Sequence, residues 1–241
     1  MFPVTRTSTL LGGCLLLLAC MLDSAHAALT ISSTRIVYEG HQRSTSVVIA
    51  NPGKRPYAAQ VWVNTQADDS TTAVPFMTAP GLFKLTAGKE QSVQISGLPN
   101  DLPQDRESLF FFNLQEIPQA VGEQRNALNV ALRTRIKLFY RPNQVSGDPV
   151  RQLKALQVHR VQVAGAPHLR IHNPTPYHYT FNRLEAVDGK QTRPLANADM
   201  LAPFAEQLFP LPVAAKQVLV SIINDYGGTS EPLTLPVLDA P

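Results

Sequence analysis

The chain has 241 residues, 21 Lys and Arg against 18 Asp and Glu, a formal charge of +3 and only two cysteines. Charges of both signs are mixed along it, which points away from a nucleic-acid partner. Its 20 prolines and frequent Val, Thr, Ile and Phe favour strands joined by turns, and no segment reads as an amphipathic helix.

The first element is an export signal. Arg6 is followed by an apolar run, "LLGGCLLLLACML" from Leu10 to Leu22, and then by "AHA" ending at Ala27. A positive start, a short apolar run and a small-x-small site describe a secretory signal peptide over residues 1–27, and the run is too short to span a bilayer. Cleavage after Ala27 leaves roughly 214 residues. "LLAC" offers a competing reading, lipidation at Cys20. Both cysteines, Cys14 and Cys20, lie inside the signal, so the mature chain has neither a disulfide framework nor a cysteine metal site. Its stability must come from hydrophobic cores.

Residues 28–146 then carry short alternating segments: "LTISSTRIVYEG", "STSVVIANPG", "YAAQVWVNTQ", "FKLTAGKEQSVQISGL", "SLFFFNLQEIP" and "NVALRTRIKLFYRP". "NPGKRP", "TAPG" and "AGKE" between them carry turn chemistry. About seven strands in roughly 115 residues predict an immunoglobulin-like antiparallel sandwich. The polar, Pro- and Gly-bearing link "RPNQVSGDP" marks a domain boundary near residue 146. A second, smaller strand series follows over 147–241, with "LQVHRVQVAG", "HLRIHNPTPYHYTFNRLEAV" and "QVLVSIINDYGG". The fold class is all-β, with two immunoglobulin-like sandwich domains.

Catalytic signatures are missing: the chain has no G-x-S-x-G, Walker loop, H-E-x-x-H or G-x-G-x-x-G. His159, His168, His172 and His178 gather in the second domain. The spacing of His168 and His172 suits metal ligands on a helix, whereas "HLRIHNPTP" reads as a strand entering a turn. No metal, no cofactor and no enzyme activity are expected.

"NALNVALRTRIKLFYRP", Asn126 to Pro142, carries the most information. Leu128, Val130, Leu132, Thr134, Ile136, Leu138 and Tyr140 share one face of a strand, and Arg133, Arg135, Lys137 and Arg141 share the other. Alternation alone favours an apolar face pressed into the domain's own core.

Four phrases resemble the periplasmic pilus chaperones of the chaperone-usher pathway: "LPQDRESLFFFNLQEIP", "IKLFYRP", "NPTPY" and "INDYGG". The match covers both domains in order. It implies an L-shaped, non-catalytic periplasmic protein that binds pilin subunits with an incomplete immunoglobulin-like fold. Such a protein supplies the missing strand and delivers the subunit to an outer-membrane usher. On this resemblance Leu128, Val130 and Leu132 are donor-strand residues that enter the subunit's groove. Arg35 of "TRIVYEG" and Lys137 of "RIKLFYRP" anchor the subunit's C-terminal carboxylate, and Glu107, Arg141 and Asp225 form an interdomain ion network that sets geometry more than stability. The short "PQAVGEQRNA" segment is similar to the short-loop branch. A homodimer capping the donor strand is a further partner to test. The alternative function is a two-domain exported adhesion or pilus structural protein. Against it, "ALTISSTRIVYEG" begins directly in a strand rather than in a donor extension.

Overall fold

The computed structural model describes residues 29–69, 71–118, 131–189, 191–211 and 215–239. The signal segment, Leu128, Val130 and most of the short-loop segment fall outside the described residues. No described helix is long and apolar enough to cross a membrane.

Nine strands build the first unit: β1 (Thr30–Ile31), β2 (Arg35–Glu39), β3 (Ser44–Ala50), β4 (Tyr57–Asn64), β5 (Phe76–Ala79), β6 (Leu82–Leu85), β7 (Glu90–Gly97), β8 (Ser108–Pro118) and β9 (Arg133–Arg141). They form two sheets, in the orders β1-β3-β7-β5 and β2-β9-β8-β4-β6. The strand count exceeds seven because the first segment splits. β1 pairs with β3 in one sheet, and a few residues later β2 pairs with β9 in the other. "TAPG" likewise divides a strand into β5 and β6, which edge opposite sheets.

Period-two alternation places the core between the sheets. Val47 and Ile49, Ala59 and Val61, Val93 and Ile95, and Phe110, Phe112 and Leu114 all point inward. Along β4 and β8 the alternate residues Gln60, Trp62, Phe111, Asn113 and Gln115 take the outer face.

In the second unit Asp148 caps a single helical turn, α1 (Pro149–Gln152), by accepting the Val150 N–H at 2.8 Å. The strands that follow are β10 (Gln157–Val163), β11 (Ala166–His172), β12 (Tyr179–Asp188), β13 (Gln191–Pro194), β14 (Met200–Leu201), β15 (Glu206–Pro210), β16 (Gln217–Ile222), β17 (Leu233–Pro236) and β18 (Leu238–Asp239). One sheet runs β15-β11-β10-β18 and the other β13-β12-β16-β17, with β14 on β12. The first core ends at Tyr140 and the second begins at Val145. His168 and His172 lie on β11, and no His, Cys, Asp or Glu cluster among the described residues is arranged to hold a metal.

Candidate functional site

β9 is buried at one end and exposed at the other. Leu138 is fully buried, Tyr140 is buried and Ile136 packs against the first core. Leu132, on the same face, is 49% exposed. Its carbonyl still continues the ladder beside β8, accepting from Glu116 N–H at 2.9 Å and Gln115 Nε2 at 3.1 Å. Neighbouring Ile117, at the end of β8, is also exposed. Because β2 pairs with β9 only from Lys137 to Arg141, the edge of β9 from Arg133 to Ile136 has no strand on that side among the described residues, the arrangement that invites pairing with another chain.

The opposite face of β9 looks onto the second domain. β2 and β9 run parallel with Arg35 directly opposite Lys137 and Glu39 opposite Arg141. Two cations from the ends of the domain's sequence thus sit side by side. Neither is an ordinary solvated charge. Arg35 is only 6% exposed, donates from Nη1 to the Ile223 carbonyl of the second domain at 2.7 Å, and lies over the Phe139 ring. Its Nε is buried without a partner among the described residues. Burial lowers the Arg35 pKa from its ordinary value, and the nearby Asp225 and Glu107 carboxylates partly oppose that. The Lys137 ammonium, mostly buried, lies 3.3 Å from Asp199 Oδ1 and 3.4 Å from Thr180 Oγ1, both in the second domain.

Below this pair the structure brings Glu107, Arg141 and Asp225 together. Arg141 donates to Glu107 Oε1 from Nε at 3.0 Å and Nη2 at 2.7 Å, and to Asp225 from Nη1 at 2.8 Å and Nη2 at 3.1 Å. Burial works against the Arg141 charge, but Asp225 and Glu107 more than offset it, and the guanidinium is held above its ordinary range. The expectation that the network contributes little to stability took it for an exposed set. Arg141 and Glu107 are in fact buried, and opening a buried pair is costly.

The network also has members the sequence did not reveal. Glu39 Oε1 accepts from Arg141 at 3.3 Å, His178 donates its backbone N–H to Glu107 Oε2 at 2.8 Å, and the Tyr177 ring lies 5.1 Å from the Arg141 guanidinium carbon. Glu39 had a signal, since it follows Arg35 by four residues, as Arg141 follows Lys137. His178 and Asp199 come from turns of the second domain and had none. The domains also come together at Gly227, whose φ is +84 and where an added Cβ would run into the Thr34 side chain. Only glycine suits both conditions.

Such a frame defines a class: two immunoglobulin-like sandwiches locked by buried charge, with an apolar strand edge on view and cations beside it. The chain belongs to the pilus-assembly chaperone family. Residues 28–146 match the N-terminal domain of the pili and flagellar-assembly chaperones of the PapD type, and residues 151–233 match the corresponding C-terminal domain. It is 36% identical over 211 residues to the chaperone protein PapD of Escherichia coli, covering 86% of each chain. The solved YadV chaperone is 31% identical with a TM-score of 0.73, covering 87% of this chain and all of that one. The Salmonella enterica SafB chaperone, solved in complex with the SafA pilin, is 25% identical with a TM-score of 0.75, covering 87% of this chain and 96% of that one.

Proposed function

We propose that this pilus chaperone works in the periplasm without catalysis. It captures subunits whose immunoglobulin-like fold lacks a strand, lends them the outer part of β9, and passes them to an outer-membrane usher. The observation that carries this reading is the division of one apolar face into a buried Leu138 and a half-exposed Leu132. A strand serving only its own core has no reason to leave Leu132 at the open edge. Leu128 and Val130 continue the period toward the subunit. The family context supports the reading, since SafB is seen holding a pilin. In this reading residues 28–146 form the donor domain, residues 147–241 form the second wall of the cleft, and a second copy of the chain is the rival occupant of the free edge.

Arg35 and Lys137 are assigned as the anchor for the subunit's C-terminal carboxylate. Arg35 has a buried Nε to offer and Lys137 an ammonium with a third donor. Glu107, Arg141 and Asp225 are assigned to fixing the angle between the domains. Lys137→Ala tests the anchor cleanly. Arg35→Ala also removes the bond to Ile223 and is expected to loosen the domain contact. Removing one partner of a buried charge pair costs about 2 to 5 kcal/mol, roughly 30-fold to several thousand-fold in affinity. Each variant is expressed with its pilin, and the pilin surviving in the periplasm is measured. Wild-type levels with Lys137→Ala would refute the anchor, and pilin loss even without the chaperone's exposed edge being altered would support it.

A further inference from the structure

Resting on the carboxylate-anchor reading, we infer that Asp199 is a built-in competitor for the anchor: an internal carboxylate that occupies Lys137 in the free chaperone and limits how tightly a subunit's terminus is held. Asp199 Oδ1 lies 3.3 Å from Lys137 Nζ. Its position is imposed by the fold. The Asp199 carbonyl accepts from the Phe181 N–H at 2.9 Å, which ties it to β12 beside Thr180, the other Lys137 partner. On its other side the chain turns at Asn197, whose φ is +59, a left-handed conformation that asparagine tolerates. The Asp199 N–H closes that turn on the Asn197 carbonyl at 3.1 Å.

The charge balance gives this contact a consequence. The Asp199 side chain is 83% exposed and the Lys137 side chain only 20%. The carboxylate therefore keeps its hydration while the ammonium does not. An ammonium has three donors, and among the described residues two already point at Asp199 and Thr180. An incoming carboxylate takes the third and arrives next to a fixed negative charge. At a separation of about 5 Å in a largely aqueous setting, the repulsion weakens binding about three- to tenfold. Arg35 has no such carboxylate in direct contact among the described residues: its Nη1 is spent on a neutral carbonyl, and Asp225 and Glu107 act on it only through space. The two cations are thus unequal, with Arg35 buried and free of a direct carboxylate contact among the described residues, and Lys137 shared with Asp199. For a carrier that must also let go, the shared cation keeps the anchor below its full strength.

The test uses the full mature chain and isothermal titration. The ligand is a short synthetic peptide of alternating valine and threonine with a lysine-tagged N-terminus and a free C-terminal carboxylate. The same peptide ending in an amide is the control. Asp199→Asn is expected to bind the carboxylate peptide about three- to tenfold tighter and the amide peptide unchanged. Unchanged or weaker binding of the carboxylate peptide, or an equal gain for both peptides, overturns the inference. Lys137→Ala separates the two levels: if it still prefers the carboxylate peptide over the amide as wild type does, the anchor reading itself fails. A wild-type chain that does not distinguish the two peptides overturns both.

Discussion

Leu138 of β9 and Leu132, the residue just before that strand, share one face three turns of the pleat apart, and they should respond to the same substitution in opposite ways. Leu138 is fully buried, so Leu138→Ala removes packed methylene groups and leaves a cavity, at a cost of about 2 to 5 kcal/mol of folding stability. Leu132 is 49% exposed, so Leu132→Ala should change folding by no more than about 0.5 kcal/mol. Its cost should appear on binding. Full burial of a leucine contributes about 1.5 to 3 kcal/mol, and roughly half of that remains to be gained when a subunit covers the exposed half. Leu132→Ala should then weaken capture by about 0.8 to 1.5 kcal/mol, which is about 4- to 12-fold. Urea titration of each purified variant gives the folding term, and pilin recovered by co-purification gives the binding term. A loss of 2 kcal/mol or more in the folding of Leu132→Ala would mean that the residue belongs to the domain's own core, and the donor assignment would fail with it.

Three further outcomes are expected. Glu107→Ala strips Arg141 and His178 of their buried partner and should cost about 3 kcal/mol in chemical denaturation, whereas a change under about 1 kcal/mol would return the network to the status of surface pairs. Glu116, buried with Oε1 accepting the Leu29 N–H at 2.6 Å, has its pKa raised by burial, with that bond partly opposing. The ionised form is the disfavoured one in the folded state, so Glu116→Gln, which keeps the acceptor, should stabilise the protein at neutral pH. That advantage should fade as pH falls through the folded pKa toward the ordinary carboxyl range; a gain that persists at low pH would point to packing instead. Mass spectrometry of the exported protein should find an N-terminus at Ala28, and a diacylated Cys20 would overturn that assignment.

The strands were legible because alternation is written residue by residue, and the interleaved Phe110, Phe112 and Leu114 against Phe111, Asn113 and Gln115 carry it plainly. What alternation cannot carry is where along a strand the partner sheet stops. Leu132 and Leu138 look alike in sequence, but β2 flanks the strand only from Lys137 to Arg141, so Leu138 lies within that pairing and Leu132 beyond it. The ion network was readable in part, through phrases that resemble the family. Glu39 joins it through a parallel pairing between strands about a hundred residues apart; the equal Arg35–Glu39 and Lys137–Arg141 spacings fit that pairing but do not by themselves announce it. His178 and Asp199 enter through turns, where side-chain direction depends on docking of the second domain. The early split into β1 and β2 was missed for a related reason, since a change of sheet within a few residues preserves the alternating pattern.

The parallel pairing of β2 with β9 also bears on how the chaperone itself matures. It joins the first long strand of the domain to its last, so Arg35 and Lys137 are neighbours only after a loop of about a hundred residues has closed. Contacts so distant in sequence form late and slowly. An unfinished chaperone, with its edges still unpaired, therefore carries the two cations far apart, and on the proposed anchor role it has no place for a terminal carboxylate. On that proposal, competence to receive a client arrives together with the completion of the receiver's own fold, and half-made copies are kept from trapping subunits they could not protect.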